Sequence, residues 1–570
     1  MRRPSVADGF FFLSFILLIL LPVDSFSKDR RFFLAEPSQK TLKKPDMGTL
    51  PGSGVDGGLK QAPSYKTQTP LAQPVPPISK PDIVLTHTLE MSLQDVIANT
   101  LKNNVSIAIQ NFQSQIRKQE IITQEAEFDP NISFEGNVTQ ERRLSSFAVS
   151  NPKTNVNTQN FELGFDQKLK LGTQYELKFR NERIETDSAF AALSPQYNSR
   201  FEVNLTQPLL KNFGQDINSS NITIAKNNLD ISDFEFKNKV IEVISEAENV
   251  YWDLVFSRED LKVQQQSVQR AKDLERRVKA QVEVGTMAPL EILQAQSEVA
   301  SREEAVIQAR KRIQDNQDNL KNILNIPFDS PDGMKEIQLL DSPQFLIETP
   351  VSLKDSIRTA LMKRPDHLSI KKELDSKNIL VKFNENQLYP TLDLVASFGL
   401  NGISGKDIGG SPFGGNFGRS QERTFSGDAS TWEGGLLFKY PLGNRAAKSR
   451  FTAAKLAAAQ LLMDIKDLEK TIVLEVREAA RQINTDKKRV QAARIARRLA
   501  EETLSAEEKK FEVGLSTSFS VLEFQTDLAE QQSKELKAII DFNKSKINFR
   551  KVLATTLEEH NIQMASDSGP

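Results

Sequence analysis

Two different spacings of apolar residues alternate along the chain, and each spacing predicts a different kind of element. Apolar positions that recur every three to four residues follow Ser92 and Ser352, which predicts a helix after each serine. Further along each half the spacing changes to two, as expected for strands with one apolar face. The four principal strands of this kind lie around Ile132, Val203, Leu394 and Phe438.

A very long helix is predicted after each strand region, from about Asp216 to Gln281 and from Arg445 to Lys510. Neither contains proline or glycine, and at 1.5 Å per residue each would extend about 100 Å. Apolar residues at every seventh position predict left-handed coiled-coil packing. Each helix ends at a Val-Gly pair, after which a helix of about 60 Å returns. That helix and the helix of about 30 Å before the strands together match the long helix, so we expect them to stack end to end.

The chain matches itself at two offsets, which indicates an internal duplication. Residues 92–130 match residues 352–390 at an offset of 260, and residues 284–324 match residues 513–553 at an offset of 229. The difference between the offsets places 31 additional residues in the first copy. The predicted organisation is a signal peptide (1–25), a Pro/Gly-rich flexible leader (26–86), repeat 1 (87–326), a linker (327–350), repeat 2 (351–558) and a C-terminal tail (559–570).

The additional residues carry a strand-like alternation of their own. Residues 161–169 and 172–179 predict a hairpin of two strands. The alternation leaves three placements open: the hairpin extends the sheet, covers its mouth, or projects outside it.

The N-terminus predicts export. Arg2 and Arg3 precede an apolar run from Phe10 to Leu21, which is shorter than the ~20 residues that cross a bilayer. We interpret this run as part of a secretory signal peptide, with an uncleaved membrane anchor as the alternative. The leader that follows is too rich in proline and glycine to bury a core.

Composition excludes several classes of function. The 74 basic and 75 acidic residues nearly cancel, so we expect no nucleic-acid partner. The absence of cysteine rules out disulfides, thiolate metal sites, thiol nucleophiles and a lipid-modified N-terminal cysteine. The three histidines are far apart, and no nucleophile-base set, phosphate loop or metal cluster has the spacing that chemistry requires. We therefore predict a protein that is not an enzyme and has no cofactor and no metal.

The predicted strands need an apolar environment that the chain itself does not supply. They lie at the far end of helices about 100 Å long, where no protein core is nearby. Lipid is the candidate, but a membrane sheet must close on itself, and about four strands per chain are fewer than the eight of the smallest closed sheets. Two copies would close a sheet whose interior is filled by side chains, and three copies would leave a lumen inside the closed sheet. A soluble antiparallel sandwich, which shows the same alternation, is the alternative.

Polar residues on the other face of the strands favour water inside a closed sheet. They include Glu135, Asn137, Glu202, Asn204 and Lys439.

Short motifs in a fixed order extend this interpretation. They are Ser-Leu-x-Asp at Ser92 and Ser352, the segments Thr206–Leu210, Leu324–Pro327 and Arg364–Asp366, and the Val-Gly pairs at Val284 and Val513. In a duplicated helix-strand-strand-helix-helix frame, these motifs make the chain similar to the TolC-like outer-membrane efflux protein family. The resemblance covers about residues 88 to 558.

The resemblance implies a mainly α fold with membrane β structure, a trimeric α/β-barrel duct of TolC type. In such a homotrimer a twelve-stranded β-barrel in the cell outer membrane continues into twelve helices that project into the periplasm. An equatorial layer would comprise residues 82–103, residues 327–366 with the linker (327–350), and the C-terminal tail. The resemblance further implies a passive exit duct of a tripartite efflux or type I secretion system, surrounded by outer-membrane lipid. Its partners would be a periplasmic adaptor protein and an inner-membrane transporter.

Two sites are also implied by the resemblance, both at the end of the helices farthest from the strands. The candidates for an adaptor-docking tip are Val284, Gly285, Thr286, Val513, Gly514 and Leu515. The candidates for a periplasmic gate are Glu291, Phe511 and Glu523. For each glycine alone, a helix reversal with positive φ is an equally good explanation.

The gate departs from the family pattern. At the offset of 229, Glu291 matches Ser520 and Glu523 matches Gln294, so neither acid is duplicated. Phe511 replaces a tyrosine, and a serine at 516 stands where some relatives carry a basic tether. A hydrophobic or weakly braced gate fits these residues, and Glu523 also fits a solvated helix face.

The main alternative function is that of a periplasmic adaptor protein, since adaptors are also exported and carry a long helical hairpin. Adaptors have one hairpin beside compact β domains, whereas this chain has two hairpins, each preceded by membrane-like strands. A coiled-coil spacer of the cell envelope would not need those strands. The sequence does not indicate which substrate is exported.

Overall fold

The structure, a computed structural model, describes residues 88–144, 153–343, 345 and 352–563. The predicted signal peptide, the leader and the end of the C-terminal tail lie outside the described residues. The helices are α1 (Leu93–Asn103), α2 (Val105–Glu125), α3 (Gln215–Asn218), α4 (Ser220–Glu283), α5 (Leu290–Ile323), α6 (Leu353–Lys363), α7 (Pro365–Asn386), α8 (Phe417–Ser426), α9 (Arg445–Glu512), α10 (Ser518–Leu553) and α11 (Thr556–Glu559). The strands are β1 (Leu89–Met91), β2 (Asn131–Leu144), β3 (Lys153–Lys168), β4 (Gln174–Thr186), β5 (Leu193–Pro208), β6 (Ile337–Leu339), β7 (Thr391–Asp407) and β8 (Ser430–Lys439).

The Ser-Leu-x-Asp motif starts a helix in both halves, as predicted. Ser92 Oγ accepts a hydrogen bond from the Asp95 N–H at 3.2 Å, and the Ser92 N–H donates to the Asp95 carboxylate at 3.0 Å. These bonds satisfy donors that a helix start leaves free. The Ser92 hydroxyl, which donates to the Asp95 carboxylate at 2.6 Å, and the Ser92 N–H together hold the pKa of Asp95 below its ordinary value. In the second half Ser352 stands before α6 without such a side-chain bond.

The long described helices form four columns side by side. α4 and α9 have 64 and 68 residues and each makes a column alone, about 100 Å long. α2 and α5 lie end to end beside α4, with α2 against the part nearest the strands. α7 and α10 share the column between α4 and α9 in the same way. The predicted end-to-end stacking is therefore confirmed.

Most predicted heptad positions are buried between these columns. Val240, Ala247 and Leu254 of α4 expose 1% of their surface or less, and Ile472 and Val476 of α9 are fully buried. Each large apolar side chain buried in this way stabilises the fold by about 1.5–3 kcal/mol. None of the helices in the described ranges is long and apolar enough to cross a membrane.

The Val-Gly pairs reverse the chain, as expected. Gly285 follows α4 with φ of 80°, and Gly514 follows α9 with φ of 77°. An L side chain is strained in this left-handed conformation, so glycine is the residue that lets each long helix end and the next one return.

Six of the described strands form one antiparallel sheet, in the order β2-β3-β4-β5-β7-β8. The hairpin of the additional residues is β3 and β4, and it lies between β2 and β5 with pairing on both sides. The expected number of about four strands per chain is therefore too low. The physical reason is register: Phe165 of β3 pairs with Ile132 on one side and with Leu177 on the other, so the hairpin continues the apolar face of the sheet.

The predicted equatorial segments pack against the middle of α4. β1 and β6 pair in parallel there, and Tyr251 of α4 donates a hydrogen bond to Asp341 at 2.7 Å. Burial raises the pKa of the Tyr251 hydroxyl well above its usual range. Glu248, fully buried in α4, pairs with Arg550 at 3.1 Å and lies 3.2 Å from His560. These contacts join the described parts of the linker and the C-terminus to one helix.

α8 lies on the apolar face of the sheet, near the strand ends farthest from the long helices. Gly402 of β7 permits this close approach, because a Cβ there would lie 2.0 Å from the Ser420 carbonyl oxygen. The Ser199 and Ser420 hydroxyls are 2.8 Å apart, and the Phe417 ring lies 5.8 Å from that of Phe161. Small polar groups and aromatic rings together bind the helix to the sheet.

Replacing Gly402 with Ala should loosen α8, because either the helix or β7 must move to admit the new methyl group. We expect a cost of about 1–3 kcal/mol and faster tryptic cleavage after Arg419 and Arg423. The matched control is Gly434→Ala, on the same face with no atom within 4 Å of the added Cβ. Equal trypsin resistance of the two variants would contradict the close packing.

Candidate functional site

The first candidate surface is the apolar face of the sheet, which runs without interruption across all six strands. One cross-strand row, followed through the pairing register, consists of Ile132, Phe165, Leu177, Val203, Phe398 and Trp432. Exposure is greatest on the two edge strands, where Phe134 is 73% and Trp432 is 79% exposed. α8 covers part of this face near the far ends of the strands. The rest of the face is not stable against water, so it requires a cover that the described chain does not provide.

The opposite face of the same strands is charged. On this face Glu162 of β3 pairs in register with Arg180 of β4, and their side chains form an ion pair at 2.6 Å. Lys178 forms another with Glu176 at 2.6 Å, and Arg200 lies 3.3 Å from Glu202. Charged groups that keep part of their surface exposed belong next to water. The sheet therefore separates an apolar side from an aqueous side.

The two edges of the sheet form a third feature. β2 and β8 each have one paired neighbour, and the other side of each strand presents N–H and C=O groups without strand partners. All 14 residues of β2 are exposed. Long edges of this kind are templates for pairing with another strand.

The tip at the other end of the long helices brings together the docking candidates predicted from sequence. Val284, Val513 and Leu515 are 74%, 70% and 79% exposed, and Gly285, Thr286 and Gly514 are exposed beside them. Thr286 Oγ1 donates a hydrogen bond to the Gln281 carbonyl at 2.9 Å, which closes the first turn. The Ser518 hydroxyl donates to the Glu291 carboxylate, so the two turns lie next to each other.

The three gate candidates occupy different environments. Glu523 of α10 is exposed, and Glu291 is half-buried and bound by Ser518. Phe511 is only 3% exposed and packs in a cluster with Leu274 and Val278. Its ring is therefore part of the helix packing at the tip.

Ser516 stands where some relatives carry a basic tether, and its hydroxyl forms a hydrogen bond to the preceding helix. Ser516 Oγ donates to Glu507 Oε1 at 2.6 Å, and Lys510 Nζ lies 3.0 Å from Glu507 Oε2. The hydrogen bonds from Ser516 and Lys510 hold the pKa of Glu507 below its ordinary value. The turn after α9 is thus fastened to α9 itself.

Sequence reasoning did not identify Arg302, which joins three helices near the tip. Only 6% of this residue is exposed. Its guanidinium donates to the Ser267 carbonyl of α4 at 3.1 Å and to the Leu522 carbonyl of α10 at 3.0 Å. It also pairs with Glu298 of its own helix at 2.8 Å. At the offset of 229 its counterpart is a glutamine, so the duplication carried no signal for it.

The Arg364–Asp366 motif marks the joint between α6 and α7. Arg364 pairs with Asp366 at 2.6 Å and also with Glu475 of α9. Burial acts in the opposite direction, but the hydrogen bonds and charge of Arg364 hold the pKa of Asp366 below its ordinary value. Pro365 stands at the first position of α7, where its missing N–H costs nothing. The motif is a helix joint rather than a reactive site.

Across the described ranges, no group of three or more His, Asp or Glu side chains is placed to hold a metal ion. The arrangement offers two surfaces for binding, the sheet and the tip, and no assembled set of reacting groups.

Comparison with protein families gives one match that covers most of the chain. The profile described as "Outer membrane efflux protein" matches residues 96–325 and 356–555. These segments fall within the two predicted repeats. No curated protein matches the sequence.

Several solved structures share the fold. The outer-membrane channel OprN has a TM-score of 0.60 and 12% identity, covering 81% of this chain and 89% of OprN. The Campylobacter jejuni CmeC outer membrane channel has a TM-score of 0.59 and 15% identity, over 83% of this chain and 90% of CmeC. The outer membrane protein VceC from Vibrio cholerae has a TM-score of 0.58 and 13% identity, over 81% of this chain and 96% of VceC. The predicted TolC-type fold class is thereby confirmed.

Replacing Arg302 with Ala should loosen the tip, because it removes one member of a buried ion pair and leaves the acceptors on α4 and α10 without their donor. We expect a loss of about 3 kcal/mol, seen as faster amide hydrogen exchange around Leu522. Arg276→Ala is the control, since Arg276 is 76% exposed in its side chain and pairs only with Asp273 among the described ion pairs. Unchanged exchange in the Arg302 variant would show that the tip does not depend on this residue.

Proposed function

Because the chain belongs to the outer membrane efflux protein family, we propose that three copies form a passive exit duct through the cell outer membrane. The protein is an efflux channel of this family and not an enzyme. In the proposed assembly the long helices project into the periplasm. A periplasmic adaptor protein binds the tip and connects the duct to an inner-membrane transporter.

The observation that carries the proposal is the two-faced sheet with two unpaired edges. Hydrocarbon next to the apolar face removes it from water, while the charged face stays wet. Backbone groups at an open edge are not tolerated in hydrocarbon, so each edge must pair with a strand of another copy. A closed ring of copies satisfies both requirements and leaves an aqueous lumen.

The exposed turns at the tip support the adaptor site. Val284, Val513 and Leu515 present apolar surface to solvent at the point where no further element of the described chain covers it. A helical hairpin with an apolar stripe is the kind of partner that packs on such turns. Gly285, Thr286 and Gly514 complete the proposed docking surface by bringing the backbone close to that partner.

For the gate we assign different roles to the three candidates. Copies of the exposed Glu523 around a narrow opening attract cations and repel one another. Glu291 acts through its hydrogen bond with Ser518, which ties the two turns. Phe511 acts through packing, since its buried ring sets how α9 meets its neighbours.

The adaptor alternative is not favoured, because the described chain has two helical hairpins and a single large sheet rather than one hairpin between compact β domains. Cargo selection belongs to the pump and adaptor, so both small-molecule efflux and type I secretion are compatible with the same duct.

Purified mature protein in detergent should form trimers that open discrete conductance steps in planar bilayers. Glu523→Ala should raise the conductance or weaken block by divalent cations, because it removes the proposed ring of carboxylates. Glu530→Ala, an exposed acid farther along α10, is the matched control and should leave the currents unchanged. A monomer that stays in solution without detergent and forms no pore would refute the duct. Identical currents from the wild type and the Glu523 variant would remove only the gate assignment.

Leu515→Asp should abolish adaptor-dependent efflux without changing the passive conductance, because it places a charge in the apolar docking surface. We expect loss of co-purified adaptor by at least tenfold, equivalent to about 1.4 kcal/mol or more. Ser505→Asp introduces the same charge on an exposed face of α9 away from the turn and serves as the control. Full adaptor recovery with the Leu515 variant would place the docking surface elsewhere.

A further inference from the structure

We infer that the hairpin β3–β4 makes the membrane wall wider than the resemblance implies, so that three copies close a sheet of eighteen strands instead of twelve. The inference rests on the proposed trimer and adds the number of strands and the width of the outlet. Three independent features of the described chain support it: the pairing of the hairpin, the character of its two faces, and the width of the helical layer.

The pairing places the hairpin within the wall. β3 pairs with β2 from Asn131 to Leu144, and β4 pairs with β5 from Gln174 to Ile184. No described residue of β2 pairs with β5, so the hairpin separates these strands along their length. Removing it from the wall would break both ladders at once.

The faces of the hairpin match those of the neighbouring strands. Its apolar residues on the face shared with Ile132 and Val203 are Phe161, Leu163, Phe165, Tyr175, Leu177 and Phe179. Glu162, Lys178 and Arg180 lie on the other face and form ion pairs there. A hairpin that covered the mouth of the duct or stood outside it would be wetted on both sides. α8 covers Phe161 and Phe179 at one end of the hairpin. Over the rest of the hairpin the observed division is the one that a wall between lipid and water requires.

The strand count also permits closure. Because the sheet contains an even number of described strands that are all antiparallel, β8 of one copy meets β2 of the next copy in antiparallel orientation. Both edges are exposed along most of their length. A second copy of this chain is therefore the occupant that these edges fit, and the ring closes without a parallel pair.

The width of the sheet agrees with the helices that lead to it. Four helical columns spaced by about 9–10 Å are about 40 Å wide. Six strands spaced by 4.8 Å and tilted by about 40° are about 38 Å wide, whereas four are about 25 Å wide. Six strands per chain therefore have about the width of four helical columns, which is compatible with the wide wall.

A closed sheet of eighteen strands has a backbone radius of about 18 Å, compared with about 12 Å for twelve strands at the same tilt. Its cross-section is about twice as large.

Distances between spin labels on the three copies test this difference. The chain has no cysteine, so Ala396→Cys in β7 provides a single label on the apolar face. After correction for the reach of the label beyond the backbone, which lengthens the distance in either wall by a similar amount, copies of this backbone position should lie about 31 Å apart in an eighteen-stranded wall and about 21 Å apart in a twelve-stranded one. Deleting residues 153–186, which removes β3 and β4, should shorten the full-length distance by about 10 Å. Ile495→Cys in α9 is the control label, and its distance should be the same with and without the hairpin.

Each outcome separates the strand count from the proposed function. A corrected backbone distance near 31 Å at residue 396 that shortens on deletion supports the wide wall. A corrected distance near 21 Å that is unchanged by the deletion overturns it, while the distances at residue 495 still show a trimer. If residue 495 gives no distance between copies, there is no trimer, and the proposed duct fails together with the strand count. Should the shortened chain not fold, the full-length distance alone still decides between the two walls.

Discussion

Backbone hydrogen bonding in hydrocarbon is the constraint on which the rest of the protein depends. The sheet is apolar along one face and charged along the other, and each of its two edge strands lacks a partner on one side within the described chain. In lipid an unpaired edge costs several kcal/mol for each N–H or C=O group, so one chain alone would not be a stable membrane structure. The proposed assembly of identical copies meets this constraint.

The helical columns continue each copy of the proposed duct away from the membrane. Four columns per chain arise because two pairs of shorter helices each match one long helix, and seams with heptad spacing bury Val240, Leu254 and Ile472. At the tip, Arg302 binds α4, α5 and α10, so a displacement of any one of these helices would break its hydrogen bonds. The exposed apolar turns therefore project from tightly packed helices. This packing gives the proposed docking surface a fixed shape.

The outcome at particular residues shows where sequence patterns are informative. The heptads, the Val-Gly reversals and the Ser-Leu-x-Asp starts were all predicted, because each depends on residues close together along the chain. Arg302 was not noticed, because its environment is formed by helices that are distant in sequence. The family resemblance identified the tip, but only the packing distinguishes the exposed Glu523 from the bound Glu291.

The amino-acid sequence by itself determined the two periods, the lengths of the helices, the added hairpin and the family, since all of these follow from local spacing and ordered motifs. Tertiary structure decided where the hairpin lies, which face of each strand joins its neighbour, and which tip residues are buried. The reason is that alternation specifies that a strand has two faces but not which strand it pairs with. Pairing partners are chosen by register and by the free energy of covering the whole face, and these exist only once the chain has folded.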